Sequence, residues 1–210
     1  MFEFPSRSRE RRSGGRLRAV AFFVTARRRL GENGRVTRRI IILAGIAAVV
    51  VGLDRATKAW AANALVGDPV RRYLADTLRI GYVENTGVFL GLGNQLPEGV
   101  RFVLFVVVVA AGLVAALVYT LVHARLSRVQ VISLGLILSG GFSNLVDRLL
   151  HDGVVVDFMN VGIGGLRTGV FNVADMAVTA GVIVLLTTGL RRETVNAAAV
   201  LAGLAARTGP

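Results

Sequence analysis

The longest uncharged run in the sequence extends from Phe102 to Val122 and contains 21 residues, nearly all of them apolar. About 20 apolar residues in a helix cross the hydrocarbon core of a bilayer. Because lipid offers no hydrogen-bond partners to the backbone, a spanning segment of this kind has to be helical. The run therefore predicts a membrane protein, and a composition with 53% hydrophobic residues agrees with that class.

Three further apolar segments accompany this run, one before it and two after it. Each approaches the length of a span once its polar ends are included. The sequence therefore predicts an all-α membrane protein with four transmembrane helices, at about 38–60, 101–122, 129–150 and 170–190. Between these spans, the runs 78–83 and 153–158 are β-like and are flanked by turn-rich sequence. They predict a small β-like cap on the outer side of the membrane.

Positive charge is concentrated at particular flanks of the apolar segments. The net charge is +12, and twelve arginines fall within residues 1–39, while further basic residues occupy 122–129 and the stretch after residue 190. Cytoplasmic flanks of membrane spans carry an excess of Lys and Arg. With four spans, both termini are therefore predicted to be cytoplasmic. Topology accounts for the charge, so nucleic acid is not an expected partner.

The spans divide the chain into three parts. Residues 1–36 are predicted to form a basic disordered cytoplasmic tail, 37–192 a four-span domain and 193–210 a cytoplasmic C-terminal tail. The chain has no cysteine, which excludes disulfides and thiol nucleophiles. Only His123 and His151 could supply imidazole ligands, so neither a metal nor another cofactor is predicted.

Acidic residues lie at the outer ends of the predicted spans. Among them, Asp157 and Asp175 have no cation within one helical turn in sequence. An aspartate inside a span costs roughly 2.5–3.5 kcal/mol, so such residues are candidates for a functional site. Two carboxylates in one apolar cleft cannot both ionise, and a proton shared between them suits the cleavage of a peptide bond by water. The residues alone leave open whether the two side chains meet in space.

Other polar residues at the same membrane face have simpler explanations. Asp54 and Lys58 are spaced i,i+4 and are predicted to form a structural ion pair. Asp147 and Arg148 close the third span, where the sequence is consistent with a structural role and, for Arg148, with contact to substrate.

Two other classes of protein fit parts of this pattern. A small proton or cation carrier also places acids within spans, although more naturally near the midplane than at one face. A serine protease would require Ser139 or Ser143 to meet His151, which lies in a charged loop and is more simply a solvated residue.

Five short sequence motifs contain the aspartates named above and other polar residues. They are DRATK (54–58), ENTGVFLG (84–91), GGFSNLVDR (140–148), GVVVDF (153–158) and FNVAD (171–175). In order and in membrane side they resemble the blocks of bacterial lipoprotein signal peptidases, the signal peptidase II family. The resemblance implies an aspartic endopeptidase of the bacterial cytoplasmic membrane that removes signal peptides from prolipoproteins, cutting just before the diacylglyceryl-modified cysteine. We further expect a monomer without a cofactor, whose partners are these substrates and the lipid bilayer.

The resemblance also implies a role for each matching residue, with the active site near the outer face. The expected catalytic dyad consists of Asp157 and Asp175. The expected substrate-binding residues are Asn85, Asn144, Arg148 and Asn172. The expected structural polar residues are Asp54, Lys58 and Asp147. The chain departs from the family pattern at Ser143, where glycine is usual, and at Phe89, where alanine is usual, so a divergent inactive paralogue is the alternative.

Overall fold

The computed structural model describes residues 8–87, 93 and 95–189, with side chains described from residue 33 onward. The chain divides into two compact units, Met1–Ile40 and Ile41–Pro210. Within the described residues, the first unit is helical, and the second contains further helices and a small sheet. All of the candidate site residues belong to the second unit.

Helices make up most of the described chain, as the sequence predicts. They are α1 (Ser8–Ala64), α2 (Glu98–Val122), α3 (Arg128–Leu150) and α4 (Val173–Gly189). Three segments are long and apolar enough to cross a membrane, namely α2, α3 and the part of α1 from Asn33 to Ala64. They coincide with the first three predicted spans. Helix α4 lies at the fourth predicted position, and it is apolar but shorter within the described residues.

The N-terminal part of α1 differs from the sequence-based expectation. The Arg, Gly and Ser content of residues 1–36 predicts disorder, whereas the backbone is helical from Ser8 onward. This segment has no proline after Pro5, and its Arg, Leu and Ala residues are good helix formers. A basic composition alone is therefore compatible with a helix. The expected C-terminal tail, 193–210, lies outside the described residues.

Helix α2 exposes apolar side chains over most of its surface. Only Val106 and Thr120 are buried along it, whereas Val114 is 62% exposed and Val118 is 53% exposed. An extended apolar surface of this kind marks contact with lipid or with another protein. Combined with the length of the helix, the exposed surface matches a span that faces the bilayer.

Helix α3 is the central helix of the second unit. Its first turn is fixed by a capping box, in which the Ser127 hydroxyl accepts the Gln130 backbone N–H and the Gln130 side chain accepts the Ser127 N–H. Its glycines face each of the other helices: Gly135 faces Ile46 of α1, Gly141 faces Leu113 of α2, and Gly140 faces Ala174 of α4. Small residues allow such close approach, which is what holds helices together in lipid.

A four-stranded antiparallel sheet stands beside the helices. Its strands, in spatial order, are β1 (Arg71–Tyr73), β2 (Leu78–Asn85), β3 (Val155–Ile163) and β4 (Leu166–Arg167). Between α3 and β3, Asp152 and Gly153 have left-handed φ angles of 49° and 84°, which reverse the chain. The two β-like runs in the sequence fall on β2 and β3, so the prediction of a small sheet is confirmed.

An apolar cluster joins this sheet to the helices. Ala61 and Leu65 at the end of α1 pack with Phe158 of β3, and all three are almost completely buried. The Trp60 ring lies 6.2 Å from the Phe158 ring in an edge-to-face arrangement. The cluster fixes β3 against α1, and it therefore fixes the position of Asp157, the residue before Phe158.

Replacing Gly181 by alanine should loosen the contact between α3 and α4. A Cβ atom at this position would lie 2.6 Å from the Ser133 carbonyl oxygen and 2.8 Å from Cγ1 of Ile137, so the two helices would have to separate. We expect Gly181→Ala to lower stability by about 1–3 kcal/mol, measured by thermal unfolding in detergent. Gly112→Ala is the matched control, because nothing lies within 4 Å of its added Cβ. Equal melting temperatures for the two variants would contradict the close packing.

Candidate active site

The register of β2 and β3 brings the first two site residues together. Asn85 pairs with Val155 and Val83 pairs with Asp157, so Asn85 and Asp157 are diagonal neighbours on adjacent strands. The Asn85 side-chain Nδ2 donates a hydrogen bond to Asp157 Oδ2 over 2.8 Å. Its Oδ1 accepts the backbone N–H of Gly87 over 2.9 Å, which fixes the direction of the amide.

The start of α4 positions the second aspartate. Asn172 Oδ1 accepts the backbone N–H of Asp175 over 3.0 Å, and Asp175 Oδ2 accepts the backbone N–H of Asn172 over 3.1 Å. This reciprocal pair is a capping box, which satisfies N–H groups that have no partner inside the helix. Asp54 of α1 accepts another such group, the Ala174 N–H, over 3.0 Å. Local backbone chemistry therefore holds Asp175 at the helix N-terminus.

Two asparagines connect the two aspartates. Asn172 Nδ2 donates to Asp157 Oδ1 over 2.7 Å, and Asn144 Nδ2 donates to Asp175 Oδ1 over 2.8 Å. Asn172 Nδ2 also lies 3.1 Å from Asn144 Oδ1, so the two amides contact each other. Asp157 and Asp175 are consequently both hydrogen-bonded to Asn172, although they are 18 positions apart in the chain.

Burial controls the protonation of Asp157. The residue is 1% exposed, and this burial raises its pKa from 3.8 to about 6. The hydrogen bonds from Asn85 and Asn172 oppose the rise in pKa, and the negative charge of Asp175 adds to it. Like charges disfavour each other's ionised form when they are close. The structure therefore places the two carboxyl groups near enough to interact through their charge.

A second group of charges lies next to the aspartates. This ion network consists of Asp54, Arg55, Lys58 and Asp147. Lys58 Nζ lies 2.7 Å from Asp54 Oδ2 and 2.6 Å from Asp147 Oδ2, while Arg55 Nη2 lies 2.5 Å from Asp147 Oδ1. Asp54, Lys58 and Asp147 are buried. Two cations and two carboxylates balance, which buried charges require.

Arg148 contacts the turn that follows β2. Its Nη2 donates to the Gly87 carbonyl oxygen over 2.6 Å, and its guanidinium lies 5.9 Å from the centre of the Phe105 ring. A guanidinium at this distance from an aromatic face is favourably placed. Arg148 therefore joins α2, α3 and the turn after β2 at the edge of the site.

The two aspartates open onto a cleft of about 650 Å³. Asn85, Asn144 and Arg148, three of the four expected substrate-binding residues, line it. The fourth, Asn172, is fully buried and lies beneath the cleft, in contact with the aspartates. Apolar side chains of α4 continue the lining as far as Ile183. Phe89, where the chain departs from the family pattern, lies outside the described residues.

The sequence does not predict two contacts beside the site. Arg55 supplies the second cation that balances Asp54 and Asp147, since Lys58 supplies only one. The Ser143 hydroxyl donates to Asp54 Oδ2 over 2.6 Å, so it supports the ion network rather than the dyad. A serine protease pair is not formed, since His151 is largely exposed and lies next to Asp147.

Removing the Ser143 hydroxyl should destabilise the protein. Ser143 is fully buried, and Ser143→Ala would take one donor away from a buried carboxylate. A hydrogen bond to a charged group is worth about 1.5–3 kcal/mol, and we expect a loss of that size in thermal unfolding. Ser139→Ala is the control, because within the described part of the chain its hydroxyl bonds only to the Gly135 carbonyl of its own helix. If both variants unfold at the same temperature, Ser143 does not support Asp54.

The raised pKa of Asp157 should appear in the pH dependence of stability. The folded protein keeps a proton on this group up to about pH 6, whereas the unfolded chain releases it near pH 3.8. The raised pKa therefore adds to the free energy of unfolding below pH 3.8, and this contribution is lost as the pH rises from 3.8 through 6. The loss amounts to about 3 kcal/mol at 1.36 kcal/mol per pH unit.

Asp157→Asn cannot titrate and provides the reference for this measurement. Between pH 4 and pH 6 we expect the melting temperature of the unmodified protein to fall relative to that of Asp157→Asn. Parallel curves for the two proteins would show that burial does not favour the protonated carboxyl.

Comparison with known proteins identifies the family of the chain. The sequence pattern of the family described as signal peptidase (SPase) II matches residues 46–191, more than half of the chain. The lipoprotein signal peptidase of Methylobacterium sp. is 41% identical over 152 residues, covering 71% of this chain and 88% of that protein. The lipoprotein signal peptidase of Desulforapulum autotrophicum is 33% identical over 151 residues, covering 70% of this chain and 91% of that protein.

Solved structures give the same result at the level of the fold. A bacterial membrane enzyme determined by the in meso method at 2.3 Å resolution has a TM-score of 0.62 and 28% identity, covering 71% of this chain and 87% of that one. A second, at 1.9 Å resolution, has a TM-score of 0.62 and 26% identity, covering 70% of this chain and 92% of that one. The family match includes every residue of the candidate site. The chain belongs to the signal peptidase II family.

Proposed function

We propose that this chain is a membrane aspartic endopeptidase that removes signal peptides from prolipoproteins, cutting just before the diacylglyceryl-modified cysteine. Membership of the family supports the peptidase activity and the class of substrate. Asp157 and Asp175 are the proposed catalytic dyad. Neither of the alternatives, a small membrane carrier or an inactive paralogue, is favoured by the relatives, which are lipoprotein signal peptidases.

The observation that carries the proposal is the contact of both aspartates with Asn172. Its side chain donates to Asp157, and its backbone N–H donates to Asp175. Each of the four carboxyl oxygens accepts one N–H, from Asn85, Asn144 or Asn172. A carboxyl oxygen has two lone pairs, so each retains one for water, substrate or the shared proton.

A dyad with one proton can perform both halves of peptide hydrolysis. The ionised carboxylate accepts a proton from water as the water oxygen attacks the scissile carbonyl carbon. The protonated carboxyl group donates to the carbonyl oxygen, so that a neutral tetrahedral diol forms. When the C–N bond breaks, the nitrogen takes the proton from one carboxyl group, a hydroxyl of the diol returns its proton to the other carboxylate, and the new carboxyl end is released. One proton is again shared at the end of the cycle.

The lining of the cleft fits a lipid-modified substrate. Its polar end contains the aspartates, and its apolar end follows α4 toward Ile183, about 12 Å along the helix axis for eight residues. We propose that the signal peptide unwinds near the polar end while the acyl chains remain in the apolar part. Asn85, Asn144 and Arg148 would then bind the freed backbone groups of the substrate, because lipid cannot.

The membrane arrangement follows from the basic flanks. We propose that α4 is the fourth span, that both termini are cytoplasmic and that the sheet forms a cap at the outer face. In this orientation the dyad lies at the outer end of the spans, on the side to which a signal peptide is delivered. The working unit is proposed to be a monomer, since one chain supplies the whole dyad and its supports.

Removing either carboxylate should abolish cleavage. Asp157→Asn and Asp175→Asn are close in size to the original side chains, but an amide can serve neither as the general base toward water nor as the general acid. We expect each variant to lose at least about a thousandfold in rate on a diacylglyceryl-modified precursor in proteoliposomes, followed by the appearance of the released signal peptide. The same precursor without the lipid should be cleaved poorly by the unmodified enzyme.

Asp68→Asn is the matched control for the dyad variants. Asp68 is exposed, and among the described residues its side chain pairs only with Arg71, an interaction of little energetic value at a surface. The Asp68→Asn variant should cleave the precursor at the rate of the unmodified enzyme. Normal cleavage by either dyad variant would refute the assignment, and altered proton flux without accumulated precursor would indicate a carrier.

A further inference from the structure

Lys58 uses all of its hydrogen-bonding capacity on three acceptors. Its Nζ lies 2.7 Å from Asp54 Oδ2, 2.6 Å from Asp147 Oδ2 and 2.8 Å from Asn144 Oδ1. An ammonium group has three N–H donors and no acceptor, so each donor has one partner. The residue is 5% exposed, which leaves little room for water to replace any of these contacts.

The third contact determines which way the Asn144 amide faces. An ammonium group can only donate, so the amide must present its oxygen to Lys58. The amide nitrogen then faces the opposite side, where it donates to Asp175 Oδ1 over 2.8 Å. With the amide reversed, two N–H donors would face each other at Lys58, and two oxygens would face each other at Asp175.

The Asn144 amide in turn contacts the amide of Asn172. Because Asn144 presents its oxygen on this side, Asn172 must turn its NH₂ group toward it, over 3.1 Å. That NH₂ group also donates to Asp157 Oδ1 over 2.7 Å, and the Asn172 oxygen accepts the Asp175 N–H. Lys58 thus directs the Asn144 amide, and the capping bond from the Asp175 N–H holds the Asn172 amide in the matching direction, so that both amides present donors to the two aspartates.

We propose that Lys58 is a positioning residue of the peptidase, which acts on the dyad through the directed amides of Asn144 and Asn172. The inference deepens the proposed function and rests on it. Its consequence is that the amides stabilise the charged form of the dyad and hold both carboxyl groups in one geometry. Among the described residues, the hydrogen bonds and ion pairs of Lys58 include neither aspartate of the dyad.

A comparison with Arg55 distinguishes positioning of the dyad from simple support of the fold. It belongs to the same ion network and contacts Asp147 and the Ser143 carbonyl oxygen. Its contacts in the described structure do not include either asparagine. If the ion network acts only by holding α1 against α3, loss of Arg55 and loss of Lys58 should have the same kind of effect on the enzyme.

The test compares Lys58→Met with Arg55→Met in the full-length enzyme, with the lipidated precursor in proteoliposomes. Both variants should melt at lower temperature. Lys58→Met should lower kcat about tenfold or more with KM within about twofold, because positioning of the reacting groups is lost while the cleft lining remains. Arg55→Met should keep kcat within about threefold of the unmodified enzyme. Lys58→Arg, which also can only donate, should recover part of kcat.

If Lys58→Met does not fold, a second comparison tests the inference: Asp54→Asn against the double variant Asp54→Asn with Lys58→Met, in which the charges balance. Asp54→Asn alone leaves the contact between Lys58 and Asn144 in place, whereas Asp54→Asn combined with Lys58→Met removes it without leaving an unpaired carboxylate. The double variant should have a kcat about tenfold or more below that of Asp54→Asn. Equal kcat for Lys58→Met and Arg55→Met, or for the single and double variants, would overturn the inference alone. Failure of the unmodified enzyme to cleave the precursor would overturn the proposed function and this inference with it.

Discussion

The buried carboxylate of Asp54 is the interaction on which the rest of the site depends. One of its oxygens binds Lys58 and Ser143, and the other accepts the Ala174 N–H at the start of α4. It therefore joins α1, α3 and α4 at one level of the helices. A buried charge is destabilising unless it is paired and hydrogen-bonded, so moving these helices apart would leave the Asp54 carboxylate without its partners. The need for these partners therefore favours one packing arrangement of the three helices.

The dyad uses the opposite arrangement of charge. Asp157 and Asp175 have amide donors but no direct ion pair among the described contacts, and Asp157 is buried enough for its pKa to rise to about 6. Two neighbouring groups of carboxylates thus have different kinds of donors. In the ion network, the carboxylates pair with the cations Lys58 and Arg55. In the dyad, neutral amides fix the geometry and leave a proton exchangeable.

Much of the fold followed from the sequence for a clear physical reason. Long apolar runs in lipid have to be helical, so the helices at the first three predicted spans were identifiable from length alone. Strands β2 and β3 were marked by β-branched residues between turns. The tail was the exception, since composition favours disorder there and the backbone is helical from Ser8. Family motifs, rather than spacing, indicated the candidate site residues.

The sequence by itself determined the membrane class and the apolar helical segments, and it predicted the residues that are proposed to carry peptide hydrolysis. It could not determine which of these side chains meet, because contacts such as that of Lys58 with Asn144 join positions 86 residues apart. It could not reveal the second cation of the ion network, Arg55, without the geometry of Asp147. Tertiary structure decided these points, since amide direction and ion pairing depend on which donors face which acceptors once the helices have packed.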